Sequence, residues 1–517
     1  MFSRMLEISN IEGSNFGTAS NVYDVYDQYH DKDIFESVID GLILERYADD
    51  SVKEYIKNLP RSEKRIATLS LIGDDNILWS NINDLLEDNK SGYQRLKLIY
   101  NLLKEYVKIA DVDRKGKGEI LTPFKELAEP MVRLVEKYDT DFWKNPHHKV
   151  LDSSAGYGTF LILAAYKFMV GLKDFEPNEE KRFKWVVENC LYYGEIQAKS
   201  AFSWLVTIDP YNEYKTNIYW GDFLSKDFDR HMKEVWNVEY FDLIIQNPPY
   251  QMNTGNRGSG HTLWNKFVLK SLSILIEDGY MVMVHPSGWR NISGAFDVVK
   301  NEITKRSLLY LEIHDINDGI KMFGASTRYD FYCLKNSDHY ISTDIVDEDR
   351  NEVKMNIKDM KFIPNRYFKE FIKLTSHNDP SVDLVYSRSM YGADKKHIIS
   401  EKSFINKYPC VKYISKINYN IDFRYSDRDS GMFGIPKVMF GIGAQVGGIL
   451  IDKNGDYGLC QFVAAISDKD YNNLENIKKA LESSKFKDIM KACQFTTQMY
   501  NYKVISLLKK DFWVDFI

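Results

Sequence analysis

The sequence predicts an α/β protein built on a doubly wound parallel sheet, with a helical N-terminal region and an α+β C-terminal region. Three observations carry that prediction. From residue 148 to about 336, short apolar runs alternate with helical stretches. A glycine turn, Ser153–Gly158, directly follows the first run. The fourth run, Phe241-Asp242-Leu243-Ile244-Ile245-Gln246, ends in Asn247-Pro248-Pro249-Tyr250.

The elements follow in order. Residues 1–20 are polar and contain Gly, Ser and Asn. From about 33 to 110, apolar residues recur at helical spacing, as in Leu96, Ile99, Tyr100, Leu103, Tyr106 and Val107. Asp113–Gly118 is polar and glycine-containing, and reads as a linker. Thr122-Pro123 reads as an N-cap followed by proline at the first helical position. Strands are expected at 148–152, 191–196, 216–221, 241–246, 280–285, 309–314 and 328–335. Beyond about 340 the chain becomes polar and aromatic, with apolar runs at Lys437–Phe440 and Gly447–Ile451. Asn454-Gly455 is a hairpin signal joining the second run to Tyr457–Ala464, and a helix is expected at 471–491. Three domains are expected: 1–115, 116–340 and 341–517.

Composition narrows the class. The 517 residues are 44% apolar and 14% aromatic, as in a soluble globular protein. No apolar run reaches the length of a membrane span, and MFSRMLEISNIEGSN lacks the features of a signal peptide. The five cysteines are far apart with no CxxC pair. That argues against a disulfide framework or a zinc site and fits a reducing cytoplasm. The net charge of −6 is concentrated in residues 1–40, which hold eight acids and two bases. Residues 385–440 hold ten Lys/Arg against five Asp/Glu, either a phosphate-binding patch or a solvated surface.

The chemistry-bearing residues sit at strand ends. Two consecutive prolines fix φ and remove two N–H donors, so Asn247–Tyr250 cannot merge into a helix or sheet. An amide, a free carbonyl and a ring remain, which suits a planar group bearing an amine, such as a nucleobase. The turn after Asp152 (Ser154, Ala155, Gly156, Gly158) lets a ligand approach the backbone, although it departs from GxGxxG. Glu195, Asp222 and Asn247 follow Asp152 at intervals of 43, 27 and 25 residues, which suits successive strand–helix units. Ligands of open α/β sheets bind at such carboxyl ends. Glu195 suits ribose hydroxyls; Asp222 suits an adenine amine, with Phe223 available for stacking. Each of these three also reads as a plain surface or core residue.

These motifs resemble the S-adenosylmethionine-dependent amino-methyltransferases, in particular the γ-class DNA adenine-N6 methyltransferases. Asp152–Phe160 matches their glycine-rich cofactor motif, with Ser153 where proline is common and Tyr157 between the glycines. Asn247–Tyr250 matches their catalytic motif, and Glu195 and Asp222-Phe223 match the two between. Gly118–Val135, with Thr122 and Pro123, resembles the motif that touches the methionine end of the cofactor. Leu263–Phe267 and Asp278–Pro286 resemble the later motifs. The resemblance implies a Rossmann-like methyltransferase sheet over 116–340, S-adenosylmethionine as cofactor, no metal, and a target-recognition domain over 341–517.

It also implies a reaction. The Asn247 side-chain oxygen and the Pro248 carbonyl would accept the two N–H groups of a flipped adenine from duplex DNA. Tyr250 would stack on the base. Phe323 aligns with a second stacking face and reads equally as a core residue. Gln251–His261 reads as a closing loop or as a plain surface loop. Three rivals stand beside this: methylation of RNA or protein glutamine, a fused restriction–modification enzyme, and a non-enzymatic binding module. The acidic N-terminal domain suits oligomer contacts or a basic partner.

Overall fold

A computed structural model describes residues 92–106 and 122–517, apart from 210–212, 252–261, 293, 295, 340–341, 359, 377–379, 387–396, 416–419, 430–431, 444–446 and 496–500. The expected linker at 113–118, the acidic N-terminus and nearly all of the loop 251–261 lie outside the described residues. Two compact units are present: residues 1–286 with 298–346 and 354–358, and residues 287–297 with 347–353 and 359–517. No helix among the described residues is long and apolar enough to cross a membrane. The five cysteines are buried free thiols.

The first unit is organised on a nine-stranded sheet. Its strands are β1 (Val150–Asp152), β2 (Leu191–Glu195), β3 (Asn217–Trp220), β4 (Phe241–Gln246), β5 (Leu275–Pro286), β6 (Ser307–His314), β7 (Tyr329–Lys335), β8 (Thr343–Val346) and β9 (Glu352–Met355). Their order is β3-β2-β1-β4-β5-β7-β6-β8-β9. The first five in that order are mutually parallel, and β7 is antiparallel to both β5 and β6. All seven expected strands are present. Their runs are continuous rather than alternating because β1 and β2 are buried throughout. The order reverses between β1 and β4, where Leu151 pairs with Tyr192 on one side and Ile244 on the other. That reversal opens a crevice at the carboxyl ends of the two strands.

β5 starts five residues earlier than expected. Asp278, at φ 62°, and Gly279 form an irregularity within the strand rather than a loop before it. A Cβ on Gly279 would lie 3.0 Å from the Asp242 carbonyl oxygen, so only glycine lets the neighbouring backbone come this close.

The helix after the glycine turn, Thr159–Gly171, reads TFLILAAYKFMVG and buries nine of its side chains. Such a helix is stable only when covered on more than one side. It packs on β1 and β2 and also on the helix Gly92–Tyr106. Tyr93, Leu96 and Ile99 of that helix join the same core, and Tyr100 stacks on Tyr166 at 4.5 Å. Each such large apolar side chain contributes roughly 1.5–3 kcal/mol on burial.

The second unit holds two four-stranded sheets. One has the order β10 (Asp383–Tyr386), β17 (Val463–Ser467), β14 (Lys437–Gly441), β15 (Ile449–Asp452) and is antiparallel throughout. The other has the order β11 (Ile398–Ile399), β13 (Ile421–Ser426), β12 (Tyr408–Ile414), β16 (Gly458–Leu459), with only β12 and β16 parallel.

Two local expectations are corrected here. Asn454-Gly455 does not close a hairpin: β15 pairs with β14, while β16 pairs with β12 in the other sheet. Gly455 is needed for its φ of 74° and because a Cβ there would lie 2.2 Å from the Ile435 nitrogen. The helix expected at 471–491 is two helices, Tyr471–Glu482 and Ser484–Lys491. Ser483 breaks it by adopting an extended conformation and accepting from Phe486 N at 3.2 Å as an N-cap.

Candidate active site at the strand ends

The crevice between β1 and β4 is crossed by side chains from both strands. The Ser153 hydroxyl donates to Gln246 Oε1, and Gln246 Nε2 donates to Ser271 Oγ at 2.7 Å. One residue further along each strand, Ser154 Oγ donates to the Asn247 carbonyl at 3.3 Å. Asn247 is thus tied by its backbone to the glycine turn. Gln246 was not singled out from sequence. The available signal was a glutamine directly after the buried apolar run Leu243-Ile244-Ile245.

The glycine turn has a specific construction. Ala155 N donates to Gly194 O at 3.1 Å, and Gly158 N to Ala155 O at 2.7 Å. Gly156 and Gly158 both have positive φ, 51° and 79°. A Cβ on Gly158 would lie 2.1 Å from the Trp204 ring, which stacks on Tyr193. The Tyr193 hydroxyl donates to Gly156 O at 2.6 Å. Glycine is therefore required at 158 by packing as well as by conformation. At Gly156 a Cβ would meet nothing within 4 Å.

The three acids lie at the ends of adjacent strands. Asp152 is buried, and its Oδ1 accepts from Ser154 N at 3.2 Å. Burial pushes its carboxyl well above the usual range; the Ser154 bond opposes this and nearby Glu195 adds to it. Glu195 closes the turn: Oε2 accepts from Gly156 N at 2.9 Å, while Oε1 accepts from Ile196 N and Gln197 N, each at 2.9 Å. Asp222 Oδ1 accepts from Leu224 N at 2.9 Å. Burial raises its carboxyl, with the Leu224 bond, Lys270 and Lys266 acting against it. Phe223 is not a free stacking face. It is buried against Phe228 and Phe267, at 4.8 and 5.2 Å.

Thr122 and Pro123 depart from the expected cap. Pro123 itself occupies the cap position, with φ −59° and ψ 129°, and a π-helical turn starts at Phe124. Its carbonyl accepts from both Leu127 N and Ala128 N. Thr122 makes no capping bond; its hydroxyl accepts instead from Asn247 Nδ2 at 3.4 Å.

In the tetrapeptide Asn247–Tyr250, Pro248 is buried, Pro249 exposed, and Asn247 and Tyr250 half-buried. Among the described residues no donor reaches the Pro248 carbonyl. The Tyr250 hydroxyl is buried with no hydrogen-bond partner among them. Burial raises its pKa well above the usual value. Its ring meets Phe323 edge to face at 5.7 Å and 77°. Phe323 is buried and also packs on Tyr329. The two rings therefore do not form parallel walls, and Phe323 supports the Tyr250 ring from the core. Leu263 N donates to Tyr250 O, and Gln251 bridges Thr262, so Thr262 and Leu263 lie beside the tetrapeptide. Trp264 stacks on His285 at 4.3 Å and 12°.

Residues 190–323 match the family model described as Eco57I restriction-modification methylase. A curated relative, an uncharacterized adenine-specific methylase of Mycoplasma pneumoniae, is 23% identical over 34% of this chain. The chain spans 57% of that relative's length. Solved structures are similar more loosely. A nuclease-deletion mutant of the Type ISP restriction-modification enzyme LlaGI, in complex with a DNA substrate mimic, is 12% identical; the match covers 94% of this chain and 67% of that one, with a TM-score of 0.47. The type IIG restriction endonuclease BpuSI is 12% identical over 98% of this chain and 72% of its own, with a TM-score of 0.41. At that level no function passes from them to this chain. The span from β2 to Phe323, which contains Asn247–Tyr250, is thus similar to the Eco57I restriction-modification methylases.

Proposed function

We propose that this chain transfers a methyl group from S-adenosylmethionine to the N6 amine of an adenine in duplex DNA. The carrying observation is the position of Asn247, held by Ser154 of the glycine turn on one side and by Thr122 on the other. An amide fixed beside a ligand-accepting turn, and followed by an unpartnered carbonyl and a ring, suits an exocyclic amine.

The residues present fit the cofactor. The open space above Gly156 is a cradle that a side chain would fill. Asp152, Glu195 and Asp222, on adjacent strand ends, are the acidic groups that would face a sulfonium and an α-ammonium group. Ser154, Ala155, Gly156 and Gly158 would line the turn side, and Thr122 and Pro123 the methionine end. Glu195 would face the ribose and Asp222 the adenine amine, with Phe223 supporting that pocket from the core. When bound, the cofactor supplies an electrophilic methyl on a cationic sulfur.

The chain's own residues do the rest by positioning and electrostatics. Asn247 Oδ1 and the Pro248 carbonyl accept the two N–H groups of the target amine, directing its lone pair toward the crevice. The Tyr250 ring stacks on the extruded base, and Phe323 holds that ring. In this reading residues 116–340 are the catalytic domain, 341–517 the target-recognition domain and 1–115 a helical domain for oligomer or partner contacts.

The test is transfer of labelled methyl to duplex DNA, RNA and protein by the full chain, with digestion of the DNA to nucleosides. Label in N6-methyladenine is expected. Label confined to RNA or to protein glutamine would contradict the proposal. A parallel incubation of plasmid with magnesium and cofactor tests for a fused nuclease.

A further inference from the structure

Phe404 and Ile405 are 99% and 70% exposed, the two most exposed large hydrophobic residues described. They are consecutive, at the tip of the segment joining β11 to β12. The tip is ordered by hydrogen bonds on both sides. Asn406 N donates to Ser403 Oγ at 2.9 Å, and Ser403 N to Asn406 O at 3.2 Å. Asn406 Nδ2 donates to His397 O at 3.0 Å and to Tyr425 O at 3.4 Å, fixing the tip to β13. His397 is in turn held by Asp427, whose Oδ2 lies 2.9 Å from its Nδ1.

A single exposed hydrophobe needs no explanation. Two adjacent ones on a hydrogen-bonded turn do, because burying a phenylalanine is worth roughly 1.5–3 kcal/mol. The surroundings favour one partner. Lys402 and Lys407 flank the tip, and both are exposed. The stretch 385–440 has twice as many bases as acids. A two-residue tip is far smaller than the roughly 800 Å² per side of a stable protein interface. Apolar side chains between cations are the means by which proteins part stacked bases.

We infer that Phe404 and Ile405 form a wedge that enters the base stack of duplex DNA, with Lys402 and Lys407 on the flanking phosphates. The inference rests on duplex DNA being the substrate proposed above. The wedge kinks or unstacks the duplex at one step, which lowers the cost of drawing a base out of it.

The test uses the full chain and a labelled mixed-sequence duplex. The double variant Phe404→Ala/Ile405→Ala is expected to bind about ten-fold more weakly or worse, with an unchanged salt dependence. Lys402→Ala/Lys407→Ala is expected to flatten the salt dependence instead. In a third variant, Phe404→Trp, the emission in excess of that of the nine native tryptophans should be quenched when duplex is added. Wild-type protein that methylates DNA, alongside apolar variants that bind it equally well and an unquenched indole, would overturn the wedge and leave the proposed activity standing. A self-association abolished by the double variant, with DNA binding intact, would also overturn it. Wild-type protein that neither binds nor methylates duplex DNA would overturn both.

Discussion

The side-chain amide of Asn247 donates to the Thr122 hydroxyl across 3.4 Å, linking the end of β4 to the segment that enters the helix Glu129–Tyr138. This bond orients the amide: Nδ2 faces Thr122, and Oδ1 is left to accept. Thr122→Val should therefore lower kcat by about five- to ten-fold, the value of one hydrogen bond. Thr122→Ser should restore most of the rate. Steady-state methylation kinetics on duplex DNA check both.

The two turn glycines should fail differently. Gly158→Ala places a methyl against Trp204 at a φ of 79°, so the protein should lose stability, seen as a lower melting temperature. Gly156→Ala meets no protein atom and has only its φ of 51° to strain it, at about 1–2 kcal/mol. Its methyl enters the cradle, so calorimetry should show weakened cofactor binding in a folded protein.

His285 makes stability depend on pH. Burial holds its imidazole far below the ordinary value, at about 3, despite its contact with the Pro286 carbonyl. The folded state therefore binds fewer protons than the unfolded state between about 3 and 6.5. This group's contribution is fully present above 6.5 and is lost as pH falls, by about 1.4 kcal/mol per pH unit. Urea midpoints should fall between pH 7.5 and 5.5, and His285→Gln should flatten that slope.

Lys437 and Asp452 form a fully buried ion pair at 2.8 Å. Lys437 Nζ also donates to the Met432 and Ile435 carbonyls, and Asp452 accepts from Asp456 N and Tyr457 N. Lys437→Met leaves the carboxylate without its counter-charge and should cost about 3–5 kcal/mol, measured by urea unfolding. Changing both residues should cost less than the two single changes added together, although two backbone donors would then lose their acceptor.

The strands were legible because each is a short apolar run flanked by others, and Val150-Leu151 or Ile244-Ile245 admit no other use. The strand-end acids and Asn247 were legible from their spacing. What could not be read depended on distant partners. Thr122 looked like a cap because its bond to Asn247 spans 125 positions. Phe223 and Phe323 each read in sequence as a stacking face or as a core residue, and the packing of Phe267 and Tyr329 on them is not visible there. Asn454-Gly455 has hairpin composition, but its glycine serves a close approach to Ile435. His285 is set by Trp264 and Tyr332, neither adjacent in sequence.

The most direct measurement is single-turnover transfer of labelled methyl to duplex DNA by wild type and Asn247→Ala, with cofactor binding measured in parallel. Wild type should yield N6-methyladenine, and the variant should be slower by about a hundred-fold or more while still binding cofactor. An Asn247→Ala protein that methylates adenine at the wild-type rate would contradict the account.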